Sequence, residues 1–265
     1  MAEEKNLKVV AFNGSPDISH SNTALILNPF LDGLEEAGAE VELNYVKDLH
    51  IHPCHGDLCC WVRTPGRCFQ QDDMQILLPK LQQADIWVIA TPVYVDGVVG
   101  PLKNLIDRLV PLLQPFFTLT DGHCRHMVHQ GHKYGKVVLV ANCGFWEMDN
   151  FDPLLAFMQA LSKNMSREFA GALLRPHGEV MRPMMKQGAV LDDIFAAARD
   201  AGRQLACQGS MDRQTLDTIA RDLLPKQTYV ELINKNFTRT LDRNKNSVAQ
   251  KVLSPAEQLH QTTRE

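Results

Sequence analysis

Short apolar runs alternate with longer amphipathic stretches along most of the chain. Residues 7–13, with Val9-Val10-Ala11-Phe12 at their centre, read as a buried strand. Residues 22–37 repeat apolar positions at helical spacing (Leu27, Leu31, Leu34) and stop at Gly38. Val41 to Val46 alternates and reads as a second strand, Ile86 to Ala90 as a third, Val137 to Ala141 as a fourth and Glu168 to Leu174 as a fifth. Helices are predicted over 101–114, where Pro101 suits a first turn, over 149–163, and over about 189–207. A long insertion runs from about 47 to 83 and holds a short helix from Asp73 to Gln82. Residues 116–134 read as a polar, histidine-rich loop. Strands alternating with helices in this way give a parallel sheet covered on both faces, an α/β fold.

Residues 1–210 are read as that domain and 211–265 as a helical extension. The extension is expected to hold one helix at 213–224, another at 227–236, and a mobile polar tail after Phe237. Its apolar residues Leu216, Ile219, Leu223, Leu224, Val230, Leu232 and Ile233 would cap the domain or dock on a second subunit.

Topology points to the ligand site. In a doubly wound sheet, ligands bind beyond the carboxyl ends of the strands, and the loops 14–23, 91–97 and 142–146 lie at such ends. The first loop, Gly14-Ser15-Pro16 through Ser21-Asn22-Thr23, is rich in hydroxyls and opens a helix. Free N–H groups and the positive end of the helix dipole favour a phosphate there. The second loop offers Tyr94 and exposed backbone, and the third an amide, a glycine and the aromatics Phe145 and Trp146. A phosphate at one end and a flat ring between backbone loops at the other describe flavin mononucleotide (FMN). The triphosphate loop Gly-x4-Gly-Lys-Ser/Thr and the dinucleotide fingerprint Gly-x-Gly-x-x-Gly are both missing here. The alternative is a plain turn with Ser21 or Asn22 as helix cap.

Gly14-Ser15-Pro16 with Ser21-Asn22-Thr23, then Thr91-Pro92-Val93-Tyr94 with Gly97, then Gly100-Pro101-Leu102-Lys103 and Asp107-Arg108, resemble the NADPH-dependent FMN reductase-like family. Cys54, Cys60 and Cys68 with Asp72-Asp73-Met74 resemble the cysteine insertion of its iron-sulfur flavoprotein branch, here with a degenerate motif. The resemblance spans about residues 7–175. It implies a flavodoxin-like fold with a five-stranded parallel sheet in the order 2-1-3-4-5, bound FMN, and a homodimer or homotetramer. It assigns the phosphate to Ser15, Ser21, Asn22 and Thr23, with Pro16 in the same loop. Pro92, Val93, Tyr94 and Gly97 would line the ring, and Asn142, Cys143, Gly144 and Phe145 would close its other edge. Family members often carry a basic residue near position 17, where this chain has Asp17. A carboxylate beside a phosphate is unfavourable, so Asp17 is expected to face solvent or cap a neighbouring amide.

The branch pattern is Cys-x2-Cys-x2-Cys followed by a fourth cysteine. From Cys54 the second place is Asp57, the third Cys60 and the last Cys68, with Cys59 extra. Four cysteines (Cys54, Cys59, Cys60, Cys68) are present, but the register is broken. The readings are an iron-sulfur cluster, zinc on three cysteines with His52 or His55, a redox dithiol, or a loop that has lost its cluster; the last is favoured. His123, His126, His129 and His132 recur every third residue, which is not a two-ligand helix face. In a loop they could converge on a metal, but a lid over the flavin or a subunit contact is favoured, with His129 or His132 available as a proton donor.

Bulk properties narrow the class. A chain of 265 residues with 45% apolar and 22% charged residues is an ordinary globular one. A net charge of -4 argues against a nucleic-acid partner. No apolar run reaches the roughly 18 residues of a membrane span, and Met1-Ala2-Glu3-Glu4-Lys5 is too polar for a secretory signal, so a cytoplasmic location is expected. Seven cysteines then suggest metal or redox chemistry more than disulfides. With no convincing Ser-His-Asp or paired-carboxylate set, the chemistry falls to a cofactor. The leading expectation is an FMN-dependent oxidoreductase passing electrons from NAD(P)H to a small acceptor such as flavin, quinone, iron, oxygen or a nitro compound. The alternatives are an electron carrier without its own NAD(P)H activity and a non-catalytic regulatory protein.

Overall fold

The three runs that are apolar at nearly every position become the centre of one sheet. They are β1 (Lys8–Asn13), β3 (Ile86–Pro92) and a strand at Lys136–Asn142, and their interiors are buried on both faces. The mixed runs β2 (Glu40–Tyr45) and Glu168–Arg175 take the two edges. Two further strands, β4 (Leu113–Thr120) and β5 (His123–Val128), form a separate antiparallel pair, so the last two sheet strands are β6 and β7 in chain order. The sheet is wholly parallel with order β2-β1-β3-β6-β7, which is 2-1-3-4-5 when its own strands are counted. This is the flavodoxin-like fold. The computed structural model describes the backbone of residues 6–252 and side chains through 245; Met1–Lys5 and the end of the tail lie outside the described residues.

The helices are α1 (Asn22–Glu36), α2 (Cys59–Val62), α3 (Met74–Gln83), α4 (Gly100–Asp107), α5 (Asp152–Asn164), α6 (Met181–Lys186), α7 (Asp192–Gln208), α8 (Arg213–Ala220) and α9 (Lys226–Val252). Alternate strand residues serve opposite faces. Phe12, Trp87, Ile89, Val137 and Leu139 join apolar residues of α3, α4 and α5 in one core. On the other face α1 packs against α7 so closely that a Cβ on Gly33 would overlap the Arg199 carbonyl and one on Gly202 the Phe30 carbonyl. Backbone atoms cannot rotate aside. Gly202→Ala is therefore expected to cost about 3 kcal/mol, the upper end for overpacking, read as a lower urea midpoint.

The chain divides after Arg221 into two compact units, Met1–Arg221 and Asp222–Glu265. The first holds the sheet and ends on α8, whose Ile219 is fully buried. Arg175, also fully buried, donates to the carbonyls of Ile219 (2.6 Å) and Arg221 (2.6 Å), covering acceptors at the end of α8.

Several element bounds differ from the sequence expectation. The helix expected over 101–114 ends at Asp107, because Pro111 has no N–H to continue it and disfavours helix at the residue before it. The expected loop 116–134 is largely the β4–β5 hairpin. Its turn is Asp121-Gly122, both with positive φ (51° and 76°), the Asp-Gly signal of a two-residue hairpin. The helix expected over about 189–207 starts at Asp192, and the short α6 before it was not anticipated. The helix expected at 213–224 ends at Ala220. The one expected at 227–236 continues to Val252, through the stretch expected to be a mobile tail, since no Gly or Pro interrupts it.

Candidate functional site

The carboxyl ends of β1, β3 and β6 bring their loops together around one cleft of about 810 Å³. Such a volume suits a cofactor-sized ligand. Of the residues expected there, Ser15, Pro16, Ser21, Asn22, Thr23, Pro92, Val93, Tyr94, Asn142, Cys143, Gly144 and Phe145 line it. Gly97 does not line it, but exchanges backbone hydrogen bonds with Tyr94 (3.1 and 3.2 Å) and so closes the second loop.

The first loop is fixed from within. The Ser15 N–H donates to Asn13 Oδ1 (2.9 Å), and the Ser15 hydroxyl donates to the Asp17 carbonyl (3.0 Å). Ser21 is the helix cap, accepting the Ala24 N–H at 3.0 Å. Asp17 accepts the His20 N–H (2.9 Å) and lies 3.3 Å from His20 Nδ1, with its side chain 59% exposed. That backbone donor holds the Asp17 carboxyl below its ordinary range, so the charge is satisfied within the loop. By contrast, Thr23 Oγ1 and Asn22 Oδ1 are buried without a hydrogen-bond partner, and Thr23 is 1% exposed. A buried hydroxyl at a helix start with no protein partner fits an anion that accepts from it. The Asn22 amide, rotated by 180°, presents its NH₂ to the same place. Arg182 of α6 adds a positive charge behind the loop by donating to the Ser21 carbonyl (2.8 Å).

The second and third loops are tied together. The Val93 N–H donates to the Asn142 carbonyl (2.8 Å). Cys143 donates to the Arg175 carbonyl (3.0 Å), Gly178 to the Cys143 carbonyl (3.1 Å), and His177 to the Phe145 carbonyl (2.8 Å). The third loop thus leans on the end of β7, whose following turn contributes Glu179 to the cleft. Burial pushes the Cys143 thiol up, which disfavours the thiolate a nucleophile would need. Val95 and Asp96, at the tip of the second loop, both adopt positive φ (47° and 61°), and Val95 is 99% exposed. A β-branched residue is strained there. Val95→Asn is expected to raise stability by about 1 kcal/mol, the left-handed penalty removed, measured by urea unfolding.

His20, Val95 and Asp96 line the cleft from within the expected loops without having been assigned a role, while Asn150 and Glu179 lie outside those loops and were missed. The strand-end rule, applied to the fifth strand as well, would have found Glu179. The histidines do not converge. His126 Nδ1 lies 2.8 Å from the Gln114 carbonyl, and its ring packs on Trp61 (4.6 Å) and Phe117 (4.7 Å). His132 is buried, with Nε2 3.2 Å from the Met165 carbonyl; burial and then Arg167 push its pKa down to about 4. Neither it nor His129 lines the cleft, and no residue of 116–134 does. Of the two places expected for these histidines, a lid over this chain's own cleft is not what the hairpin forms, because it packs beside the cysteine insertion; the subunit contact is the other.

That insertion has a cavity of its own, about 270 Å³, lined among others by Cys54, Asp57, Cys60, Cys68 and Arg108. Cys59 is not among its lining residues. Burial, then Cys68 and Cys54, push the Cys60 thiol up to about 11, so these sulfurs are electrostatic neighbours. The insertion is anchored by a buried ion pair. Arg108 Nη1 donates to Asp72 Oδ2 (2.6 Å) and Nη2 to Oδ1 (3.1 Å), with side chains 1% and 0% exposed. Arg108 also donates to the His52 carbonyl (2.8 Å), while Asp72 accepts the N–H groups of His52 (3.0 Å) and Met74 (3.1 Å).

A doubly wound parallel sheet in this strand order, with a cleft across the carboxyl ends of its strands, defines a flavodoxin-like protein. Residues 7–178 match the family NADPH-dependent FMN reductase, and the chain belongs to that family. Its curated relatives include an iron-sulfur flavoprotein of Archaeoglobus fulgidus, 40% identical over 38% of this chain and 48% of the relative. Another, from Methanocaldococcus jannaschii, is 36% identical over 40% of this chain and 53% of the relative. The chain spans about half the length of the curated relatives it matches. Among solved structures, an FMN-dependent NADH-azoreductase of Bacillus anthracis in complex with FMN superposes with a TM-score of 0.55 at 16% identity, covering 76% of this chain and 99% of that one. An NAD(P)H:quinone oxidoreductase from Methanothermobacter marburgensis gives 0.54 at 17%, covering 76% and 97%. At such identities these two share the fold. No helix among the described residues is long and apolar enough to cross a membrane.

Proposed function

We propose that this chain is an FMN-dependent oxidoreductase that takes electrons from NAD(P)H and passes them to a small acceptor such as a flavin, a quinone, iron, oxygen or a nitro compound. The observation that carries the reading is the meeting of three strand-end loops at one cleft, with a buried, unpartnered Thr23 hydroxyl at its helix-start end. When bound there, FMN would supply the capacity to accept a hydride and release electrons. The residues present do the rest. The Thr23 hydroxyl, the Asn22 amide and the N–H groups of the first turn of α1 hold the phosphate. Ser21 keeps that turn open by capping Ala24, and Asp17 spends its charge on His20. The backbone of Val93 and Tyr94 and the loop from Asn142 to Phe145 hold the ring between them. Tyr94 and Phe145, 54% and 65% exposed at the rim, offer flat surfaces to an incoming nicotinamide. The working form is a homodimer or homotetramer in the cytoplasm, checked by its mass in solution. The decisive experiment is an anaerobic absorption spectrum: the protein should be yellow and bleach when NADPH or NADH is added. Protein that stays colourless with added FMN would overturn the reading.

A second reading is supported by the thiol-lined cavity in the insertion. A chain that carries electrons without its own pyridine-nucleotide activity would be yellow, unbleached by NAD(P)H, and bleached by a reduced ferredoxin.

A further inference from the structure

We infer that the cysteine insertion is built for an iron-sulfur cluster held by three thiolates, Cys54, Cys60 and Cys68, with Asp57 at the fourth iron and Cys59 outside the ligand set. The relatives' name implies a cluster, and a four-thiolate set does not fit this chain. The places Cys54, Asp57, Cys60 keep the x2, x2 spacing, and these three with Cys68 line one cavity of about 270 Å³. Cys59 and Cys60 are consecutive on α2, so their side chains diverge by about 100° around the helix axis, and Cys59 is not among the lining residues. The Cys59 N–H is instead the donor that orients Asp57, at 2.9 Å from Oδ1. Asp57 itself lines the cavity.

Among the described residues no group of three His, Cys, Asp or Glu side chains is placed to hold a single metal ion. A cluster binds its ligands at separate iron corners, so its ligands surround a volume, and Cys54, Asp57, Cys60 and Cys68 share the lining of one cavity. That cavity is also prepared for negative charge. Arg108 lines it, is 1% exposed, and has a buried Nε with no hydrogen-bond partner. The Gly56 N–H donates to Cys54 Sγ at 3.4 Å, the kind of donor that steadies a ligating thiolate.

An oxygen donor holds iron less firmly than a thiolate in such a set, so the Asp57 corner is where iron leaves on oxidation. The change is [4Fe–4S]²⁺ → [3Fe–4S]⁺ + Fe²⁺ + e⁻, with ferricyanide taking the electron in the assay. The full chain is reconstituted anaerobically with ferrous iron and sulfide, and iron, acid-labile sulfide and electron paramagnetic resonance are read before and after ferricyanide. C59S should retain the iron and sulfide of the parent, while C54S, C60S and C68S each lose most of both. The parent should release about one iron per cluster and show the resonance of an oxidised three-iron cluster, whereas D57C should resist the same treatment. Loss of the cluster in C59S, identical behaviour of D57C and the parent, or failure of the parent to take up iron would each overturn the assignment. FMN released from the same samples by denaturation is counted separately, so the flavin reading stands or falls on its own.

Discussion

The double variant N22A/T23A is expected to be purified colourless and to bind FMN more than a hundredfold more weakly than the parent. Thr23 Oγ1 and Asn22 Oδ1 are buried in the first loop without a protein partner. The Thr23 hydroxyl and, with the amide turned, the Asn22 NH₂ are each read as donating one hydrogen bond to the phosphate, and hydrogen bonds to charged groups are worth about 1.5–3 kcal/mol each. Two of them amount to roughly 3–6 kcal/mol, and about 1.4 kcal/mol is a factor of ten in affinity. The fold should survive, because the Ser21 cap that starts α1 is untouched and alanine is favourable in a helix. Titration of apo-protein with FMN, followed by quenching of flavin fluorescence, gives the affinity, and circular dichroism the fold. A variant that binds FMN like the parent would remove the phosphate from this loop.

Asp72→Asn is expected to lower the unfolding free energy by about 3–5 kcal/mol, the cost of stranding one member of a buried ion pair. Arg108 keeps its charge in the variant, since a guanidinium does not lose its proton in a protein, and is left buried without its counter-ion. The same carboxylate receives the N–H groups of His52 and Met74, so its loss loosens the start of the insertion and of α3 together. Replacing both partners, D72N with R108M, should recover part of the loss by removing the uncompensated charge. Urea unfolding of the parent, the single and the double variant tests this; a double variant no better than the single would assign the effect to packing. A pH dependence follows. Burial is the largest influence on Asp72 and raises its pKa, but the Arg108 and backbone hydrogen bonds outweigh it, so the folded value lies below the ordinary 3.8. A depressed carboxyl contributes stability that is fully present above its unfolded pKa and is lost as pH falls through the folded one. Below pH 3.8 the gap between parent and D72N should therefore narrow.

The sequence by itself determined the sheet and three of the strand-end loops that line the cleft. A strand buried on both faces must be apolar at every position, and Ile86 to Ala90 and Val137 to Ala141 are. Ser21-Asn22-Thr23 announces a helix start by residue type alone, and a parallel sheet leaves little freedom over which end carries the loops. The hairpin at 113–128 was equally legible, since Asp121-Gly122 is a local turn signal, but its polar surroundings pointed to loop. Only the tertiary structure decided the rest. Asp72 and Arg108 lie 36 residues apart, and their pairing exists because the insertion folds back on the end of α4. Four evenly spaced histidines were expected together on a lid or a subunit contact, yet strand geometry and burial sent His126 to Trp61 and His132 beneath Met165. Adjacent cysteines look equivalent in a sequence. On α2 their side chains diverge by about 100°, so that Cys60 lines the cavity while the Cys59 N–H holds Asp57 in place. Residue type and spacing fix what a segment can form locally, but which polar groups meet is set by burial, where an unpaired charge or hydrogen bond costs too much to leave unmet.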